Sequence, residues 1–235
     1  FEKKNTNVII EKGEPNNLNL ELNNIDGFIK IESEPANASV FINKKKIGQT
    51  PMIFKDQGGK YMIEVKKENY ERINETIIIT NQNKVNQRNY ILELIEAKLK
   101  VFAKPNGGNL NINGLVYQTD KFINLKSNKE YVVSYEKPGF KKKSLDLNLK
   151  PNEERTEIIN LEEEYGIVEI ISQPEAEIWI NGKLSGQTPK LVELRTIQQT
   201  IEVRKKNFRS VTNKILPKAD KKKVLNINLI DEKVA

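Results

Sequence analysis

Short runs in which apolar and polar residues alternate follow one another along the chain and predict β-strands with one buried face. In one such run Ala38, Val40 and Ile42 share a face. The opposite face of that run carries Ser39, Phe41 and Asn43. Polar turns separate these runs, and no segment combines helical periodicity with helix caps. The pattern therefore predicts an all-β chain of short strands.

One stretch of this pattern recurs along the chain. Residues 33–51 return at residues 172–189, and a degraded copy occupies residues 104–120. Each copy carries a proline near its start, and the spacings between these prolines are 70 and 69 residues. The prolines are Pro35, Pro105 and Pro174. A fixed period of this length is typical of a tandem array of repeated structural units.

The period divides most of the chain into three predicted repeats. Repeat 1 covers residues 27–95, the degenerate repeat 2 covers residues 96–164, and repeat 3 covers residues 165–235. The predicted linkers, Glu96-Ala97 and Glu162–Glu164, are very short. Short strands at regular spacing predict a small β-sandwich in each repeat, and short linkers favour an elongated array over independent domains.

Residues 1–26 carry a pattern that also ends each repeat, namely an apolar run, a polar turn and a second alternating run. In the second run Leu18, Leu20 and Leu22 alternate with polar residues. We therefore predict that residues 8–22 pair as the closing hairpin of a truncated preceding repeat. The alternative is an independent hairpin that caps the array.

The recurring stretch contains two turn signals. Asn113-Gly114 and Asn181-Gly182 predict tight turns, because both residue types tolerate positive φ. Asn43-Lys44 occupies this place in repeat 1, so a looser turn is expected there. Gly-Gln-Thr-Pro at residues 48–51 and 186–189 predicts a second turn, whereas repeat 2 has Tyr117-Gln118-Thr119-Asp120.

These motifs make the chain similar to tandem PEGA domains, a family named for a Pro-Glu-Gly-Ala-like turn. Here that turn reads Pro35-Ala36-Asn37-Ala38, Pro105-Asn106-Gly107-Gly108 and Pro174-Glu175-Ala176-Glu177. The family's later Gly-Tyr-like pair reads Asn69-Tyr70, Gly139-Phe140 and Asn207-Phe208. The resemblance covers essentially the whole chain. It implies immunoglobulin-like or transthyretin-like β-sandwich repeats of bacterial or archaeal envelope proteins, without catalytic residues.

The composition narrows the chemistry available to these 235 residues. There is no cysteine and no histidine, which removes thiol chemistry and the commonest general base. The carboxylates lack the spacing of a calcium loop, and no glycine-rich phosphate loop is present. We therefore predict no catalytic residue, no metal and no cofactor. No stretch approaches the ~18 apolar residues of a membrane helix, so membrane attachment is expected only through a segment outside this chain.

Two groups of residues are candidates for partner binding. Phe41 and Trp179 occupy equivalent places opposite the aliphatic face of their strands. One interpretation is that they cover the second side of the sheet, and the other is that they are aromatic anchors for a partner protein. Basic clusters recur beside the late hairpin turn, and the net charge of the chain is +7. The candidate polyanion-binding residues are Lys141, Lys142, Lys143, Lys205 and Lys206. Lysines of this kind also protect sheet edges from aggregation.

The expected function is a non-catalytic spacer and scaffold that binds other envelope proteins, outside the cytoplasm of a bacterium, with higher-order assembly as a further expectation. The alternative is a cell-wall or glycan-binding module of an enzyme or kinase whose other domains lie outside this chain, and a third class is an enzyme in its own right. A nucleic-acid partner is not expected, because neither a recognition helix nor stacking aromatics accompany the charge. A chain that begins with Phe1 is expected to be part of a longer protein.

Overall fold

The computed structural model describes residues 3–10, 12–13, 17–21, 26–79 and 85–233. Every regular element in this described part of the chain is a β-strand. Each repeat contributes seven strands, which form one three-stranded and one four-stranded sheet. The predicted all-β class of β-sandwich repeats is therefore confirmed.

Repeat 1 builds its three-stranded sheet around its first strand, and the sheet order is β4-β1-β7. The four-stranded sheet has the order β3-β2-β5-β6. The strands are β1 (Asp26–Glu34), β2 (Ser39–Ile42), β3 (Lys45–Gln49), β4 (Met52–Gln57), β5 (Gly59–Lys66), β6 (Ile73–Ile79) and β7 (Val85–Ile91). Along β1, buried Ile29 and Ile31 alternate with half-buried Lys30 and Glu32, as the period of two requires.

Repeat 2 has the same order of elements, with the sheets β11-β8-β14 and β10-β9-β12-β13. The strands are β8 (Glu96–Lys104), β9 (Asn109–Ile112), β10 (Leu115–Tyr117), β11 (Phe122–Lys126), β12 (Glu130–Glu136), β13 (Lys143–Asn148) and β14 (Glu154–Asn160). Strand β10 has 3 residues where β3 has 5. The edge strand is thus shorter in the repeat whose Gly-x-Thr-Pro motif is incomplete.

Repeat 3 forms the sheets β18-β15-β21 and β17-β16-β19-β20. The strands are β15 (Tyr165–Gln173), β16 (Glu177–Ile180), β17 (Lys183–Gln187), β18 (Lys190–Arg195), β19 (Gln199–Arg204), β20 (Val211–Ile215) and β21 (Lys223–Asn228). Ile178 is fully buried, whereas Ile180 is only half-buried against the core. The predicted inward direction of both side chains is therefore correct, with a smaller buried area at Ile180.

The first and last strands of each repeat pair in parallel, so these two strands lie side by side and run in the same direction. In repeat 1 the ladder runs from Phe28 opposite Val85 to Glu34 opposite Ile91. The preceding strand, β6, pairs with β5 in the other sheet. The prediction that each repeat ends in a hairpin is therefore wrong, because the two strands of that pattern belong to different sheets.

This pairing bears on residues 1–26. Residues 3–10, 12–13 and 17–21, the described part of that segment before β1, lie outside any strand and are exposed. Leu22 and the central turn residues 11 and 14–16 lie outside the described residues. Pairing of this segment with a preceding repeat stays a prediction.

Three separate apolar cores lie between the paired sheets, one in each repeat. Contacts divide the chain into two compact units. The first unit consists of Phe1–Glu96 together with the short segments Lys126–Asn128 and Lys150–Asn152. The second unit consists of the other residues from Ala97 to Ala235. Glu96 and Ala97 lie within strand β8, and Ala97 is buried in the core of repeat 2. The prediction of a linker there is therefore wrong, since Ala97 is needed for packing.

The threonine of the Gly-x-Thr-Pro motif organises the turns of repeats 1 and 3. The buried Thr50 hydroxyl accepts a hydrogen bond from the Ala38 amide at 3.0 Å and lies 2.5 Å from the Ser33 hydroxyl. Ser33 in turn donates to the Pro35 carbonyl at 2.8 Å. The same contacts recur among Thr188, Ala176, Ser172 and Pro174. Because buried polar groups are normally hydrogen-bonded, these threonines serve the fold.

A tyrosine takes over this role in repeat 2. The Tyr135 hydroxyl accepts a hydrogen bond from the Gly108 amide at 2.7 Å and donates to the Pro105 carbonyl at 2.9 Å. A Cβ atom on Gly108 would lie 2.4 Å from the Glu136 carbonyl oxygen and 2.8 Å from the Tyr135 hydroxyl. Glycine therefore leaves the space that the tyrosine fills, and the degenerate motif keeps its turn.

Candidate interaction surface

An asparagine fixes the hairpin that carries the candidate aromatic residue in repeat 3. Asn181 and Gly182 both have positive φ, as the tight turn requires. The Asn181 amide donates to the Thr200 carbonyl at 2.8 Å, and the Thr200 amide donates to the Asn181 Oδ1 atom at 2.9 Å. The side chain thus extends the strand ladder by one hydrogen bond and fixes the register of Trp179.

Repeats 1 and 2 use the same bond. The Met62 amide donates to Asn43 Oδ1 at 3.0 Å, and the Val132 amide donates to Asn113 Oδ1 at 2.8 Å. Asn43 and Lys44 have φ values of 47° and 68°, close to those of the Asn-Gly turns. The prediction of a looser turn at Asn43-Lys44 is therefore wrong. The asparagine bond holds a tight turn even though lysine replaces glycine.

Trp179 lies on the outer face of the four-stranded sheet, opposite the core, and is half-buried. The Arg204 guanidinium lies 4.4 Å from the centroid of the Trp179 ring, a cation–π distance. The Trp179 Nε1–H donates to Glu177 at 3.1 Å, and Arg204 pairs with Glu202 at 2.6 Å. The indole is thus held in one orientation, with an apolar surface bordered by charges.

The charges beside Trp179 influence one another. The hydrogen bond from Arg204 holds the pKa of the Glu202 carboxyl below its usual value. The same bond raises the pKa of the Arg204 guanidinium. Both groups are therefore ionised near neutral pH, and the rim of the aromatic surface contains both signs of charge. Such an aromatic centre with a polar rim is typical of protein-binding surfaces.

Phe41 occupies the equivalent place in repeat 1, half-buried between Lys46 and Glu64 on the neighbouring strands. In repeat 2 the equivalent Asn111 accepts a hydrogen bond from the Gly114 amide at 2.8 Å and so supports its turn. The structure therefore places both predicted aromatic residues outside the core, in separate repeats.

The candidate lysines differ in their surroundings. Lys141 pairs with Glu162 at 3.3 Å, Lys142 pairs with Glu136 at 3.5 Å, and Lys205 donates to the Glu175 carbonyl at 2.8 Å. Lys143 and Lys206 are exposed. Three of the five lysines of the predicted polyanion site are thus paired with a carboxylate or bonded to the backbone. The remaining positive charge of the site lies mainly on Lys143 and Lys206.

One lysine in each basic cluster has a structural role that the sequence pattern did not indicate. Lys67 donates to the Ala36 carbonyl at 2.8 Å, and Lys205 makes the equivalent bond to Glu175 at 2.8 Å. In repeat 2 Lys137 donates to the carbonyl of Asn106. These bonds join the late hairpin turn to the proline turn. The spacing of the three lysines, 70 and 68 residues, is the signal in the sequence.

A cleft of about 580 Å³ lies where repeats 2 and 3 meet, within the second compact unit. The Arg195 guanidinium lies 4.6 Å from the Phe140 ring centroid, and the Thr196 amide donates to the Glu164 carbonyl at 2.9 Å. Gly139 has a φ of 82°, and a Cβ there would lie 2.7 Å from Ile197. The Gly139-Phe140 pair of repeat 2 therefore packs against residues of repeat 3 and connects the two repeats.

A second exposed surface was missed by the pattern analysis. The outer faces of the three-stranded sheets carry large exposed apolar side chains in all three repeats. Examples are Ile53 at 60%, Phe122 at 52% and Leu191 at 59% of full exposure. Adjacent apolar residues such as Ile170-Ile171 are the signal, because they indicate strands with apolar groups on both faces.

Neither a metal site nor a membrane-spanning helix is present within the described ranges. No group of three or more acidic, histidine or cysteine side chains there is placed to hold a metal ion. In the same ranges no helix is both long and apolar enough to cross a bilayer.

Comparison with known proteins matches repeats 1 and 3 to one family model. A family model described as "PEGA domain" matches residues 27–95 and 166–233. No curated protein matches the chain. Among solved structures, the Bacillus anthracis TIE protein is similar at 12% sequence identity with a TM-score of 0.45. The match covers 88% of this chain and 51% of that one, so the chain spans about half of that structure's length.

Proposed function

The chain belongs to the PEGA domain family, and on this premise we propose that it is a non-catalytic spacer and interaction scaffold of a larger envelope protein. Its place would be outside the cytoplasm, in the periplasm or at the cell surface of a bacterium, where domains of this family are typical. Its partners would be other envelope proteins. The tandem arrangement supports a structural role, because repeated units present similar surfaces at intervals.

The observation that carries this proposal is the position of Trp179 outside the core and the fixed orientation of its ring. The indole lies outside the core and is oriented by Arg204 and Glu177 through contacts of 4.4 Å and 3.1 Å. Tryptophan and arginine are the residue types most enriched at binding hot spots. A stacked pair of this kind loses little conformational freedom on binding, so the surface is organised before a partner arrives.

The motif residues support a role without catalysis. Thr50, Thr188 and the three turn asparagines have their polar groups engaged in the hydrogen bonds of their own turns. A catalytic group must instead reach a substrate atom within hydrogen-bond distance. These motif residues are thus used for folding, and the outer faces of the sheets, whose residues differ between the three repeats, remain for recognition.

The alternative is binding of an anionic cell-wall glycan, and the exposure of Lys143 and Lys206 favours it. In that case the contact lies at the lysines, and affinity falls steeply as salt screens the charges. The aromatic surface predicts a weaker dependence on salt. The two functions therefore differ in both the residues and the ionic strength that matter.

The experiment places a photo-crosslinking amino acid at position 179 of the full chain, with position 111 as the matched control in repeat 2. Proteins of the envelope are captured at position 179 and identified by mass spectrometry. The affinity of the identified partner is then measured for Trp179→Ala and for a variant with all five candidate lysines changed to Glu. The sacculus, which is isolated peptidoglycan, is assayed for binding in parallel.

We expect Trp179→Ala to weaken the protein complex by about 2 kcal/mol or more, with the circular dichroism spectrum unchanged. We expect the lysine variant to bind the protein nearly as well as the unaltered chain when its affinity is measured at a low and at a high salt concentration. If Trp179→Ala binds normally and the lysine variant does not bind, the hypothesis of an aromatic binding surface is wrong, and the five lysines form the binding surface instead. Small-angle scattering of the full chain tests the elongated arrangement expected of a spacer.

A further inference from the structure

The outer face of the sheet β11-β8-β14 in repeat 2 combines exposed apolar groups with a cation. Phe102, Phe122 and Ile158 are exposed to 39%, 52% and 63%. Lys100 lies among them at the fifth position of β8, the middle strand of the sheet. We name this the Lys100 face, defined by these four residues. Lys98 also lies 5.9 Å from the Phe122 centroid, but it is paired with Glu154, so of the charges described here Lys100 is the one without a carboxylate partner. Apolar side chains grouped around such a charge distinguish the face from an ordinary solvated surface.

The ammonium group of Lys100 contacts aromatic rings instead of a carboxylate. Its Nζ atom lies 4.9 Å from the Phe102 centroid and 5.5 Å from the Phe122 centroid. Within the described part of the chain, the ion pairs include Lys98 with Glu154 at 2.7 Å, but none involves Lys100. The face thus presents a half-buried positive charge that a carboxylate from a partner would neutralise.

The equivalent face of repeat 3 has the opposite charge in the same place. Glu169 is the fifth residue of β15, again the middle strand of its sheet. It lies directly opposite Leu191 on β18 and Val224 on β21. Leu191, Val224 and Ile167 are exposed to 59%, 44% and 50%. We name these four residues the Glu169 face, which is a carboxylate within a ring of aliphatic groups.

Glu169 is available for a new partner. Its carboxylate pairs with Lys222 at 2.8 Å between side chains that are 53% and 30% exposed, and a pair that reaches solvent contributes little, so another cation can take the place of Lys222. Repeat 1 also has a lysine in this place, but Lys30 pairs with its own neighbour Glu32 at 2.7 Å, whereas Lys100 has no carboxylate partner among the described residues and gains most from a new one. The two complementary faces are therefore those of repeats 2 and 3.

We propose that the Lys100 face of one copy of the chain packs against the Glu169 face of a second copy. The apolar groups of the two sheets become buried together, as in sheet-on-sheet packing, while Lys100 pairs with Glu169 inside the contact. Pairing of like faces is disfavoured, because it places two lysines or two glutamates opposite each other. The contact is heterologous, so each copy keeps one face free, and association proceeds beyond a dimer or closes into a ring.

This inference is independent of the Trp179 surface, and it is tested by sedimentation velocity of the full chain over a range of concentrations. Lys100→Glu and Glu169→Lys are each expected to weaken self-association by about tenfold, which corresponds to about 1.4 kcal/mol. Trp179→Ala and Lys30→Glu serve as controls and are expected to associate like the unaltered chain. Circular dichroism verifies that each variant is folded.

Mixing the two single variants provides the decisive measurement. Each alone presents like charges at the contact, whereas a mixture of Lys100→Glu with Glu169→Lys chains offers opposite charges at both types of contact. We expect the mixture and the double variant to regain association. The proposal is overturned if the unaltered chain stays monomeric up to about 1 mM, or if neither the mixture nor the double variant associates. It is equally overturned if Lys100→Glu abolishes binding to an anionic glycan while the unaltered chain remains a monomer.

Discussion

Replacing Tyr135 with phenylalanine tests whether the tyrosine hydroxyl substitutes for the missing threonine in repeat 2. The change removes one oxygen atom from a side chain that is fully buried. It leaves the Gly108 amide without the bond at 2.7 Å and the Pro105 carbonyl without the bond at 2.9 Å. The ring itself continues to fill the core, so the perturbation is confined to these two hydrogen bonds.

The expected loss follows from the partial burial of the Gly108 amide and the Pro105 carbonyl. A buried donor or acceptor that loses its partner costs roughly 1–3 kcal/mol. Tyr61→Phe is the matched control, because the Tyr61 hydroxyl donates to the Gln57 carbonyl at 2.7 Å at an exposed place. There water replaces the lost partner, so we expect a loss below about 0.5 kcal/mol.

The assay is urea denaturation followed by circular dichroism, with hydrogen exchange of peptides from residues 105–135 to localise the effect. Trp179 is the only tryptophan, and its fluorescence reports separately on repeat 3. Gly108→Ala is expected to destabilise repeat 2 further, because the new Cβ would lie 2.4 Å from the Glu136 carbonyl oxygen. Equal losses for Tyr135→Phe and Tyr61→Phe would show that the Tyr135 hydroxyl does not hold the turn.

Three further measurements probe the turns, the core and the charges. Lys44→Gly should stabilise repeat 1 by about 1 kcal/mol in thermal unfolding, because lysine there has a φ of 68°; a loss of stability would contradict the tight turn. Ile178→Ala should cost roughly 2–5 kcal/mol and Ile180→Ala less, since only Ile178 is fully buried; similar losses would contradict this difference. Nuclear magnetic resonance should find the Glu202 pKa below its usual value of 4.5 and closer to it in Arg204→Gln. Because that pKa is lowered by folding, its stabilising effect is lost as pH falls; an unshifted titration would mean that Arg204 does not donate to it.

Much of the fold could be predicted because the alternation of side chains is a local property. The period of two places Val40 and Ile178 in the core and Phe41 and Trp179 outside it, as the structure confirms. The pairing of the last strand could not be predicted in this way. Strand β7 returns to β1, far away in the sequence, and an apolar run carries no mark of the sheet to which it belongs.

The site was predictable in position but not in its surroundings. The register of Trp179 follows from the Asn181-Gly182 turn, whereas Arg204 reaches the indole only because β19 pairs with β16. The Lys100 face was missed for the same reason. Phe102 and Phe122 lie on different strands, and only the sheet brings their rings to the same ammonium group.

The parallel pairing of β1 with β7 determines how a repeat responds to tension. A force that stretches the chain pulls on the start of β1 and the end of β7, which lie at opposite ends of their shared ladder. The two strands are therefore loaded in shear, so the bonds between Phe28–Glu34 and Val85–Ile91 share the load. A hairpin opened from its free ends would break its bonds one after another. Each repeat therefore resists tension with little extension until the hydrogen bonds between its first and last strands break together.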